Sequence, residues 1–369
     1  MRRAFGFVLL CAALSSAHAQ GLKLSGYYKN LLIGSETVSP PGEDYTLDIN
    51  RLRLELKGPL SQGVALDLQY DNEVLFGGYL HTAQFAAQKD ARPDQYWDLE
   101  SNYAEGGSYY AQHRLYRASL TFTRGDTDVR LGRQRIAWGT GRFWSPLDLF
   151  NPINPIAVER DERLGVDAVL AEHKLGPLSR VSGAYARYGG DEWSSALNWH
   201  SNVRALDYSF IAGRSRGENL VGADLNGQIG GAGVRAELVQ YEDYARAVLA
   251  LDYAFQNTLT LSGELYYNGA GTDDTAAYDF TGLFARRIQN VGRRYFGGYA
   301  AYELTPLVKW LNYLVVNLGD RSRFFSLVLV FSLQPNLDLS IGAQFFGGAP
   351  GSEYARLQDL YYAQLQRFF

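Results

Sequence analysis

The 369-residue sequence holds one cysteine, Cys11, and one methionine, Met1, and both lie in its first 19 residues. Beyond that point the chain has no sulfur. This excludes disulfides, thiolate zinc sites, Fe–S clusters, covalent c-type haem and cysteine catalysis. The four later histidines, His81, His113, His173 and His200, lack the paired spacing of a metal site, so neither a metal nor a cofactor is expected. No stretch of 18 apolar residues follows the N-terminus; the longest candidate, Ser326–Leu333, is far too short for a spanning helix. A basic excess is missing as well. The formal charge is -4, and becomes -6 (33 basic against 39 acidic residues) if Arg2 and Arg3 are removed with the N-terminal stretch, which argues against a nucleic-acid partner.

Met1 to Ala19 reads as a cleaved secretory signal, with basic Arg2 and Arg3, an apolar stretch from Phe7 to Leu14, and an A-x-A pattern at Ala17-His-Ala19. The mature unit is then 20–369, read as a single domain. Its signal is alternation with period two. Leu52, Leu54 and Leu56 share one face, and Arg51, Arg53, Glu55 and Lys57 the other. Val64, Leu66, Leu68 and Tyr70 oppose Asp67, Gln69 and Asp71; Leu249, Leu251, Tyr253 and Phe255 oppose Arg246 and Asp252. Further such runs cover 258–268, 325–333 and 337–345, with Glu264 on a polar face. A soluble β-sandwich also alternates, but these strands run to about 10–13 residues where five or six is usual, and tyrosine and phenylalanine gather at their ends.

About 18 strands can be parsed, or 16 if a hairpin within 189–203 or 214–231 merges. Their connections sort by length. Tight turns such as Gly58–Gly63, Arg124–Thr127 and Gly176–Ser179 fall on one side, and long connections at about 34–44, 74–112, 138–163, 269–295 and 347–357 on the other. That pattern predicts an all-β fold: a transmembrane antiparallel barrel of 16–18 strands, with short periplasmic turns and long outward loops. By this point the chain resembles Gram-negative outer-membrane barrels of the porin type. Leu131-Gly-Arg-Gln134, Trp138-Gly139 and Pro146-Leu-Asp148-Leu-Phe-Asn151-Pro152 are similar to a signature of poorly characterised porin-like families. The resemblance implies a passive channel, outer-membrane lipid and lipopolysaccharide as surroundings, and a homotrimer for which no residue marks the contact face.

The stretch 138–163 is the third outward loop, the position that in general porins resembles an inward-folded constriction. Its prolines and its glycines at 139 and 141 suit a loop of fixed shape. Arg142, Asp148, Glu159, Arg160, Asp161 and Arg163 are its candidate polar lining, and Trp138, Phe143, Trp144 and Phe150 offer stacking surfaces for a solute; the same residues equally suit packing against the wall. Arg51, Arg53, Lys57, Asp67, Asp71, Arg246, Glu264 and Glu303 are expected to line the lumen with both signs of charge. Arg133 and Arg135 fit no clean face. The acidic loop 74–112, with Asp90, Asp94, Asp98, Glu100 and Glu105, suggests either a solvated loop or a calcium or lipopolysaccharide contact.

The function expected is passive diffusion of small solutes through a loop-constricted pore. Two alternatives stand beside it: a facilitator selective for a hydrophobic or carbohydrate solute, and a structural or assembly barrel. An enzyme lacks support, because the adjacent His200 and Ser201 point to opposite faces of a strand.

Overall fold

The computed structural model describes residues 21–160, 162–284 and 288–369. The proposed signal, 1–19, and the constriction candidate Asp161 lie outside the described residues. Nineteen strands form one sheet. In chain order they are β1 Lys23–Val38, β2 Pro41–Ser61, β3 Val64–Phe76, β4 Glu100–Gly106, β5 Tyr109–Arg124, β6 Thr127–Gln134 and β7 Val166–Lys174. There follow β8 Arg180–Arg187, β9 Trp193–Val203, β10 Leu206–Ser215, β11 Glu218–Ile229, β12 Ala232–Tyr241 and β13 Ala245–Ala254. The last are β14 Thr260–Asn268, β15 Arg294–Thr305, β16 Val308–Asn317, β17 Arg323–Gln334, β18 Leu337–Gly347 and β19 Leu360–Phe368.

Neighbouring strands run antiparallel, and β1 pairs with both β2 and β19, which closes the sheet. β4 is the exception: β3 pairs directly with β5, and β4 lies against the outer half of β5, above the part that pairs with β6. Nineteen strands less β4 leave eighteen staves, a closed antiparallel barrel. Closure gives every stave two partners and leaves no open edge, the condition under which a sheet can cross a membrane. No helix among the described residues is long and apolar enough to do so.

The two faces follow the sequence alternation. Leu52, Leu249, Leu251, Tyr253, Phe325 and Leu333 point outward and uncovered, while Arg51, Arg53 and Asp71 are buried inside. One end of the barrel carries only turns of two to five residues; the other carries the long connections 77–108, 135–165, 269–293 and 348–359. Both hairpins in the two doubtful stretches are present, which gives eighteen staves rather than sixteen.

Two expectations need correction. The segment 34–44 is no long loop: β1 and β2 continue their ladder to Glu36–Asp44 and Val38–Pro41, because Thr37 Oγ1 donates to the Pro40 carbonyl (2.6 Å) and accepts from Glu43 N, satisfying the hairpin tip. Loop 74–112 is also not plain coil. It holds β4 and a short helix, Ala83–Gln88, whose N-terminus Thr82 caps by accepting from Phe85 N.

The core lies inside the barrel. Ala168, Leu170, Ala184, Ala186, Ala196 and Ile211 of the wall pack with Ile136, Trp138, Leu147 and Phe150 of the long connection 135–165. A second inner cluster joins Phe143 and Trp144 of that loop to Tyr266, Tyr295, Val315 and Phe324. Small alanines on β7–β9 are what let the loop seat closely against this wall.

Candidate functional site

Residues 135–165 leave the outer end of β6, cross the lumen and return to β7. Two buried wall glutamates hold the first turns. Glu237 of β12 accepts from Thr140 N, Gly141 N (2.7 Å), Leu147 N (3.1 Å) and the Ser145 hydroxyl. Glu264 of β14 accepts from Arg142 N (2.9 Å), Phe143 N (3.1 Å) and Trp144 N (2.8 Å). Each carboxylate thus takes up successive backbone donors that would otherwise be unpaired away from water. Gly139, at φ +101°, is needed here: a Cβ would sit 2.2 Å from Ser145 Oγ and 2.9 Å from Glu237 Oε1. Opposite, Gly297 of β15 forms the seat, since a Cβ there would come within 2.7 Å of the Phe143 ring.

The far end of the loop is clamped to the opposite wall by charge. Glu159 bridges Lys29 (2.7 Å) and both terminal nitrogens of Arg51 (2.9 and 3.0 Å). Glu162 accepts from Arg53 (2.8 Å) and the Tyr27 hydroxyl (2.7 Å). The same arginines are backed by Glu73 and Asp71 of β3. Arg160 lies 3.4 Å over the Tyr313 ring, and Arg163 pairs with Asp148 at 2.9 Å. Burial pushes the Asp148 carboxyl up to about 8 although Arg163 pulls it down.

Burial also raises the Glu162 carboxyl, but Arg53, Lys29 and Arg51 outweigh it and hold the group at about 2 against an ordinary 4.5. A depressed folded value means that the stabilisation is complete above pH 4.5 and is lost as pH falls towards 2. Ionisation of Glu162 against these bases therefore contributes on the order of 3 kcal/mol at neutral pH. Acidification from pH 6 to 3 is expected to loosen this end of the loop, seen as a rise in channel noise and conductance, and Glu162→Gln should remove most of that pH dependence. An equal response in both proteins would assign the acid effect elsewhere.

The structure sorts the candidates read from sequence. Trp138 is buried edge-on to Phe150, and Trp144, 1% exposed, stacks on Tyr266 at 5.2 Å. Both are wall contacts of the loop. Arg142 reaches open lumen, 4.5 Å over Tyr299 and 3.9 Å from Asp252. Asp148, Arg160 and Arg163 are engaged as described. Among the lumen charges, Arg51, Arg53 and Asp71 form the clamp, Glu264 is a loop anchor, Lys57 pairs with Glu55 and lies 3.9 Å from Asp67, Glu303 pairs with Lys309, and Arg246 lies among Tyr241, Tyr244 and Asn268.

Sequence reading missed Glu237 as an anchor. It also missed two residues of the Gly-Arg-Gln and Asn-Pro signature that brace the loop's ends. Gln134 donates to the carbonyls of Arg130 and Ala168, while Asn151 accepts from Ile136 N (2.7 Å) and donates to Leu164 O (2.5 Å). Recurrent Asn and Gln beside such a loop were the available signal.

Arg133 has outward parity yet is 1% exposed, because residues Gln95 to Trp97 fold over it: it pairs with Asp167 (2.9 Å) and donates to Trp97 O (2.5 Å). The ladder runs through Arg133 without a register shift on either side.

On one side of the loop lies a cavity of about 320 Å³ whose lining includes Arg117, Arg130, Arg135, Tyr116 and Gln69. Arg53 and Glu162 of the clamp close one side of it. Among the described residues no carboxylate lies within 4.0 Å of Arg117, Arg130 or Arg135; Arg117 donates to the Tyr116 and Arg163 carbonyls and Arg130 to Thr121 Oγ1, and with Asp67 as the one acid besides Glu162 the cavity wall is positive.

The lumen holds a His–Ser–Asp chain as well: His200 Nδ1 is 3.4 Å from Ser209 Oγ, which donates to Asp224 at 3.1 Å. The serine lies between the other two and gives its proton to the carboxylate, so no base is oriented to activate it. In the acidic loop, Lys89 pairs with Glu105, Arg92 with Asp98 and Glu100, and Arg216 with Asp94. Four of its five acids, all but Asp90, are thereby paired with the chain's own bases, and among the described residues no cluster of His, Cys, Asp or Glu is arranged to hold a metal.

No protein-family model matches the chain, and no curated protein matches it by sequence. Solved structures do match its fold. OccK5 (OpdH) of Pseudomonas aeruginosa superposes with a TM-score of 0.60 at 10% identity, covering 95% of this chain and 97% of that one. OccAB3 of Acinetobacter baumannii gives 0.59 at 11% identity over 94% and 99%. OpdK of Pseudomonas aeruginosa, solved with vanillate, gives 0.58 at 8% identity over 94% and 98%. Over nearly its whole described length, the chain has the fold of the porin-type outer-membrane barrels.

Proposed function

We propose that this chain is an outer-membrane channel for passive uptake of small solutes, exported by a signal at 1–19 that is then removed, and selective for solutes that carry an anionic group. The observation behind the selectivity is the cavity beside the loop, where Arg117, Arg130 and Arg135 stand without carboxylate partners among the described residues. A wall of guanidinium donors in a confined lumen attracts carboxylate or phosphate groups and repels cations. Loop 138–163 narrows the path, and Arg142 supplies a further cation in the lumen. Trp138 and Trp144 are buried in packing, so an aromatic or carbohydrate solute would not stack on them. The vanillate seen with OpdK, an aromatic carboxylate, is a reasonable first solute to try. Lipopolysaccharide surroundings and trimer formation belong to the same reading.

The test is reversal potential across a planar bilayer in a tenfold KCl gradient. Wild type is expected to prefer chloride, and Arg130→Ser with Arg135→Ser to lower that preference by roughly two- to threefold. Block of chloride current by millimolar vanillate would extend the reading to organic anions. A cation preference in wild type would overturn the selectivity, and complete silence of wild type and a loop-deleted form together would overturn the channel.

A further inference from the structure

The outward surface of β8–β10 changes character at its outer end. The register sets Tyr185, Ser195 and Arg214 in one outward row and Arg187 beside Trp193 in the row above. Below them Leu197, Trp199, Phe210 and Val221 lie uncovered, the apolar surface expected against acyl chains. Loop residues Asp94 to Trp97 fold onto the same outer wall: Gly189 N donates to Asp94 (2.9 Å), and Trp97 N to Asp167 (2.8 Å). Arg187 thereby comes 4.3 Å over the Tyr96 ring, and Arg214 lies 5.7 Å from that of Trp193.

The acids here are already taken. Asp167 is held by Arg133, and Asp94 and Glu192 by Arg216. Asp191 sits on the turn beyond the strand ends. Among the described residues, Arg187 and Arg214 are left with no carboxylate within 4.0 Å. They project from strands two places apart, about 10 Å, and one outward row apart along them, so their Cα atoms are roughly 12 Å apart. A guanidinium at the edge of an apolar wall needs an anion at the interface, and two at that spacing, flanked by exposed aromatic rings, match one phosphate-bearing headgroup whose chains run down the wall.

We propose that this face binds a phosphorylated glycolipid of the outer leaflet, with its phosphates on Arg187 and Arg214 and its acyl chains on the surface around Leu197 and Phe210. The proposal rests on the outer-membrane reading but not on channel activity. It replaces a divalent-bridged contact through the acidic loop with direct arginine–phosphate contact.

The full chain in detergent would be loaded with hexa-acylated diphosphoryl lipid A, washed, and the retained lipid counted by native mass spectrometry. Wild type is expected to keep the lipid at about 0.1 M salt and release it towards 1 M. Arg187→Ser with Arg214→Ser should retain at least about tenfold less, whereas Arg323→Ser, at the outer end of β17, should behave as wild type. Equal retention by the double variant, salt-independent retention by wild type, or equal displacement by phosphatidylglycerol would each overturn the proposal; the salt and competition arms need no variant. Conductance of the same samples separates the two readings: a double variant that conducts normally without the lipid supports this site, and samples that never conduct count against the channel while the lipid measurement still decides here.

Discussion

Glu264→Ala is expected to release the first half of the lumen loop. The side chain accepts three successive backbone N–H groups of Arg142, Phe143 and Trp144, and it is fully buried. Hydrogen bonds to a charged acceptor are worth about 1.5–3 kcal/mol each, and removing the acceptor leaves buried donors unpaired. Because the three act as one unit, the loss is taken as about 3–5 kcal/mol rather than their sum. That is enough to undock Phe143 and Trp144 from the Gly297 seat while the eighteen-stave ladder holds. The readout is twofold: single-channel steps that become larger and noisy, and a barrel that still migrates as a folded species when unheated. Glu264→Gln keeps one accepting oxygen and should fall between the two. Glu237→Ala anchors the neighbouring turns and should act similarly, with the double variant costing less than the two singles combined. Quiet, wild-type-sized steps from Glu264→Ala would show that the loop is held by its apolar contacts alone.

Deleting residues 138–163 is expected to have the largest effect on conductance. An eighteen-strand barrel has a lumen wider than its own side chains can fill, and here the loop occupies it from the β12–β14 wall to the β1–β2 wall. Without the loop, single-channel conductance should rise several-fold, roughly in proportion to the area opened. Stability should fall as well, because Trp138, Leu147 and Phe150 leave the inner cluster and Ala168, Ala184 and Ala186 then line water. At about 1.5–3 kcal/mol for each large apolar side chain removed from burial, thermal unfolding should move to distinctly lower temperature. Unchanged conductance with this segment absent would place the constriction in another of the long connections.

Much of the fold was legible because a barrel writes itself into period two. Leu52, Leu54 and Leu56 against Arg51, Arg53 and Lys57 state the orientation of β2 without reference to any partner, and the segregation of long from short connections states which end is which. The hairpin tip at 39–40 was not legible, since Pro40, Pro41 and Gly42 carry loop chemistry whether or not the ladder continues to them. Arg133 could not be placed because its cover comes from Trp97, about 36 residues earlier in the chain.

The site was legible in location and not in roles. Proline, glycine and tryptophan density marked 138–163 as a stiff and unusual loop, which local composition suffices to do. Which of its residues face solute depends on where the loop docks, and docking is a long-range matter. Glu264 reads in sequence as an ordinary lumen charge and Glu237 carries no local signal at all, yet each spends its acceptors on loop backbone about 90–120 residues away. The conspicuous tryptophans went into packing, and arginines that local alternation could only call polar were left facing the cavity.

Strand content, face and the identity of the long loop were determined by the amino-acid sequence itself, because alternation and turn chemistry act over a few residues; the choice of eighteen staves over sixteen was made by the closed sheet. The loop's anchors, the charge clamp at Glu159 and Glu162, the cavity arginines that meet no carboxylate among the described residues and the covered Arg133–Asp167 pair were decided only by tertiary structure. Each depends on which distant carboxylates meet which arginines once the barrel closes, and a charge's role is set by the partner it finds or lacks.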